Sequence, residues 1–113
     1  MTPSEIKKAT LKQLREARSA MCEPEYLFEV EALPAPKKAN AKAQLSDVQL
    51  AILKLRAAKL KNISAGLVES EGDLMSSIKT LNARLKRLKE VEAVVGATAA
   101  FLKVIGRVVA LMV

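Results

Sequence analysis

The feature that most constrains this chain is an unbroken run of three- and four-residue steps from Leu50 to Val113. With Leu50 as heptad position a, the d column reads Leu53, Leu60, Leu67, Leu74, Leu81, Leu88, Val95, Leu102 and Val109, every one a large aliphatic residue. The a column is mixed, running through Ala57, Ser64, Glu71, Ile78, Leu85, Glu92, Ala99 and Gly106. Such a column is the mark of a packed helical seam. It predicts an all-α fold dominated by a long heptad-patterned helix. One Tyr, two Phe and four Gly in 113 residues make a β-sandwich or a nucleotide-binding α/β fold a poor fit.

One stretch conflicts with a single helix. Residues 64–73 carry Gly66 and Gly72, each costing about 1 kcal/mol in a helix interior. Gly66 as a C-terminal cap and Asp73 as the next N-cap would make a hairpin of residues 46–65 and 73–113. The preserved heptad phase favours instead a continuous or slightly broken rod from residue 46, about 100 Å long. Ser46-Asp47-Val48-Gln49 reads as the capping box that starts it. Both architectures stay open.

The beginning of the chain is a separate unit. Thr2-Pro3-Ser4-Glu5 is a capping box with Pro3 at the first helical position. Ile6, Leu11, Leu14, Ala17 and Met21 then mark an amphipathic helix over about residues 3–22, ended by Pro24. In Glu25-Tyr26-Leu27-Phe28-Glu29-Val30-Glu31 the apolar residues Tyr26, Phe28 and Val30 alternate with acids, a period-two pattern that predicts a short extended segment. These three side chains either patch the core or form a docking strip for a partner's sheet edge or groove. The Ala-, Pro- and Lys-rich stretch that follows predicts a semi-stiff extended linker. The resulting division is residues 1–33, a linker at 34–45, a basic heptad helix at 46–90 and an aliphatic segment at 91–113. No continuous apolar core marks the first 20 residues as a cleavable signal peptide.

Charge narrows the partners. The chain carries 19 Lys+Arg against 12 Asp+Glu, a net +7, and the excess falls after residue 33. Lys54, Lys61, Lys89 and Lys103 occupy e, Arg56 and Arg84 occupy g, and neither column holds an acid. In a parallel homodimer Arg56 would face Lys61 and Arg84 would face Lys89, so a two-stranded zipper is disfavoured. The pattern suits a homo-oligomer above a dimer, or packing against an acidic subunit. Lys54, Arg56, Lys59 and Lys61 form one dense basic stretch; Arg84, Lys86, Arg87 and Lys89 form a second, four heptads later. Together they are a candidate patch for an anionic partner. A nucleic-acid partner is disfavoured: the stretches lack stacking aromatics and a helix-turn-helix signature.

The segment from Val91 to Val113 is long enough to span a bilayer, but Lys103 lies near its centre and Arg107 one turn on. Each such cation costs about 2.5–3.5 kcal/mol at mid-membrane, which cancels the aliphatic gain. At 100° per residue, Glu92, Gly96, Ala99, Lys103, Arg107 and Ala110 share one stripe, suited to an oligomer lumen or a partner face. The tail therefore inserts in a membrane or is buried in a protein assembly. The absence of His and the single Cys exclude imidazole acid–base chemistry, an intrachain disulfide and a Cys-cluster zinc site. No cofactor-binding motif is present. The sequence reads as a non-enzymatic structural subunit of a helical assembly, of the general shape of small virion or secretion-apparatus components. A basic coiled-coil adaptor for an acidic macromolecule and a pore-forming helical protein are the alternatives.

Overall fold

The computed structural model describes residues 1–110 and is all-α: α1 (Pro3–Met21), α2 (Pro24–Glu31), α3 (Ala35–Ala57), α4 (Leu60–Glu69), α5 (Glu71–Leu85) and α6 (Val91–Ile105). α1 begins as its sequence dictates. The Thr2 side chain accepts from the Glu5 N–H, and the Glu5 carboxylate accepts from the Thr2 N–H at 2.9 Å. Ile6, Leu14, Ala17 and Met21 line its buried face.

Four helices form the body. α1 neighbours α3 and α5, and α6 neighbours α5 and α3, closing a four-helix ring. Three contacts define one pole. The Lys7 amine donates to the Ala58 carbonyl, the amino terminus pairs with Glu71, and Arg107 pairs with Asp73 at 2.9 Å. At the opposite pole Lys37 pairs with Glu92, and α2 lies across the α1–α3 junction with Tyr26 and Val30 buried. α4 packs at the first pole, chiefly against α1, through Ile63 and Leu67. Gly66 allows the close approach there: a Cβ on it would lie 3.4 Å from the Val108 backbone.

The expected long helix is divided into four. Ala58 and Lys59 are extended, Ser70 joins α4 to α5 at φ −94°, and residues 86–90 form a turn. The greatest dimension is 43 Å and the radius of gyration 14.0 Å, which excludes a rod of about 100 Å and matches a globular chain of this length. The hairpin is also replaced. Gly66 lies inside α4, and no glycine among the described residues takes the positive φ of a C-terminal cap. The physical reason is that folding back buries the aliphatic face within one chain, which a lone rod cannot do.

Two further expectations change. Residues 25–31 are helical rather than extended: Pro24 occupies the first helical position, and Tyr26 and Val30, four apart, share the buried face. Pro34 and Pro36 stand at the start of α3, where an amide needs no partner, so the linker is helix from Ala35 onward. Ser46 consequently lies mid-helix and caps nothing. Among the described residues no helix is long and apolar enough to cross a membrane; α6 has 15 residues, about 22 Å. Residues 111–113 of the aliphatic segment lie outside the described residues.

Candidate docking surfaces

The predicted seam is shared out among different surroundings. Leu67, Leu74 and Leu81 are in the core, while Leu88, Val95, Leu102 and Val109 are half-buried. Leu53 is 60 % exposed and Leu60 is on the surface of α4. The seam leucines on α5 are therefore satisfied by α1 and α6 of the same chain, not reserved for other copies. The basic stretches, expected to share one helix face, stand at opposite poles. Arg56, Lys59 and Lys61 are exposed, and Lys54 half-buried, where α3 ends. Arg84, Lys86, Arg87 and Lys89 are exposed at the α5–α6 turn beside α2. At the α3 end, Lys54 and Arg56 complement the helix dipole, and neither pairs with an acid among the described residues.

The α6 stripe is a single outward face: Glu92, Gly96, Ala99, Lys103 and Arg107 are all exposed. Its ends are tied within the chain, Glu92 to Lys37 on α3 and Arg107 to Asp73 on α5. Lys103 between them makes no ion pair among the described residues. Here α3 and α6, which run parallel, border a cleft of about 480 Å³. Leu50 and Leu102 form its walls, Ala99 and Gly106 leave its interior open, and Asp47 and Lys103 stand on opposite sides. Farther toward the other pole Gln44 bridges the two helices, donating to the Val95 carbonyl at 2.9 Å.

The predicted strip of Tyr26, Phe28 and Val30 is split by the helix. Tyr26 and Val30 point inward, and burial pushes the Tyr26 hydroxyl above its ordinary pKa. Phe28 points outward at 75 % exposure and Leu27 is 47 % exposed. With Pro24 and Ala32, also exposed, they form an apolar ridge along α2. Glu25 lies one turn before Phe28 on the same side and makes no ion pair among the described residues. Glu31, by contrast, is held below the usual carboxylate range by a hydrogen bond from Lys42 and by the charges of Lys42 and Lys38.

Leu27 and the cleft residues Asp47, Leu50 and Gly106 were not marked as a site by periodicity. A helical wheel over residues 24–32 would have found Leu27: with Tyr26 and Val30 inward, Phe28 points outward and Leu27 falls on the flank between them. Nothing in a one-dimensional pattern marks the cleft, which exists only where the fold sets α3 beside α6. Among the described residues no group of three His, Cys, Asp or Glu side chains converges as a metal-holding set. In comparisons with protein-family models, curated proteins and solved structures, nothing matches this chain.

Proposed function

We propose that this protein is a non-enzymatic assembly subunit, a self-contained helical bundle that joins other copies through surfaces near its two poles. One observation supports this above others: the α2 ridge bearing Phe28 is exposed at one pole although the core is complete without it. Near the other pole stand the apolar α3–α6 cleft and the exposed Leu53. Exposed apolar side chains and clefts of this kind are features that interaction sites share. Two different surfaces give a head-to-tail contact, which propagates into a ring or filament and does not stop at a dimer.

Sedimentation velocity over a wide concentration range tests the reading. Species larger than a dimer should grow with concentration, without lipid or another protein. A monomer at every concentration would refute self-assembly. A second reading has its own support in the exposed Arg56, Lys59 and Lys61, which form no ion pair among the described residues. They suit an anionic partner, and binding to heparin that weakens steeply with salt would favour it.

A further inference from the structure

The geometry points to the occupant of the α3–α6 cleft: the α2 ridge of a second copy of this chain, with Phe28 entering the cleft and Glu25 meeting Lys103. This rests on the assembly reading above and adds the joint itself. Phe28 is the most exposed large apolar side chain among the described residues, so its burial releases more surface than that of any other candidate. The cleft matches it chemically: its walls are aliphatic, and Ala99 and Gly106 leave the space that a ring would take.

Charge fixes the orientation. Lys103 stands on the α6 side of the cleft and Asp47 on the α3 side, so an incoming Glu25 is attracted by the first and repelled by the second. Both Glu25 and Lys103 are exposed and without an ion-pair partner among the described residues. The knob cannot come from the same molecule. α2 packs against Ala41, Lys42 and Leu45, and the 100° step of a helix places these on the flank of α3 opposite Asp47 and Leu50. Each copy thus has one knob and one cleft, and both remain available at the ends of a growing chain.

A complementation experiment on the full chain tests the joint. Phe28→Ser removes the knob, and Ala99→Trp fills the cleft. Both positions are exposed, and unchanged far-UV circular dichroism verifies each fold. Each variant alone should be monomeric where the wild type associates, and an equal mixture should form a heterodimer and nothing larger. Glu25→Lys and Lys103→Glu should each weaken association about tenfold, and the double variant E25K/K103E should restore it. Phe28→Trp should still associate, and this sole Trp should shift its emission to the blue as concentration rises.

A wild type that never associates would overturn the assembly reading together with this joint. A wild type that associates while both single variants still do so would overturn the joint alone. Loss in only one of Phe28→Ser and Ala99→Trp would also overturn it, because knob and cleft would then have different partners.

Discussion

Truncating leucines of one heptad column separates a folded bundle from an extended seam. Leu74 and Leu81 on α5 are fully buried, whereas Leu53 on α3 is 60 % exposed, although all three occupy the same column. Leu→Ala at a closed core site costs about 2–5 kcal/mol, the transfer of the lost methyl groups plus the cavity left behind. At an exposed site the change stays within about 0.5 kcal/mol. A chain of this length has a total stability of roughly 6–17 kcal/mol, so Leu74→Ala or Leu81→Ala removes a large share without abolishing folding. With a urea m-value of about 2 kcal/mol/M, the midpoint should fall by about 1–2.5 M for either core variant. For Leu53→Ala it should move by a few tenths at most. The assay is urea unfolding followed by far-UV circular dichroism at low protein concentration. Equal losses at Leu53 and Leu74, or a loss that grows on dilution, would show the column packing between chains and refute the bundle.

Three further outcomes follow from particular residues. Gly96 lies mid-α6 with open space around it, so Gly96→Ala should stabilise by about 0.5–1 kcal/mol, seen as a higher melting temperature. Gln13 is buried with an unpartnered side-chain amide nitrogen, so Gln13→Met should raise stability by about 1 kcal/mol in the same measurement. The Glu31 carboxyl is depressed in the folded state, chiefly by its hydrogen bond from Lys42. Its stabilising contribution is therefore complete above the ordinary carboxylate range and is lost as pH falls through the lowered folded value. Lys42→Met should move the Glu31 titration, followed by NMR, back toward that range and flatten the acid limb of the stability curve; an unmoved titration would remove Lys42 as the cause.

Much of the local structure was legible in the residue order. The Thr2–Glu5 box starts α1, and the face predicted from Ile6, Leu14 and Met21 is the buried one. Glu92, Gly96, Ala99 and Lys103 share one exposed face of α6 because 100° geometry is local to the helix, and Arg107 follows just past its end. Readings failed where one pattern admits two geometries. Pro34 and Pro36 signal extended chain or a helix's first turn, and the helix-favouring Lys and Ala residues after them select the second. Tyr26, Phe28 and Val30 alternate as a strand would, yet Tyr26 and Val30 are also a helical i, i+4 pair.

The sequence by itself determined that the chain is mainly helical and which side of α1 avoids water, since both are set by spacing along one chain. What the apolar sides would meet was decided only in three dimensions. A heptad column is satisfied equally by a helix of another copy or by a neighbouring helix of the same chain, because both offer the same ridges and grooves. Short breaks at residues 58–59, 70 and 86–90 let α5 reach α1 and α6, so Leu74 and Leu81 are buried without a partner molecule. The same folding back left Leu53, Phe28 and the α3–α6 cleft in solvent, where the proposed docking surfaces lie.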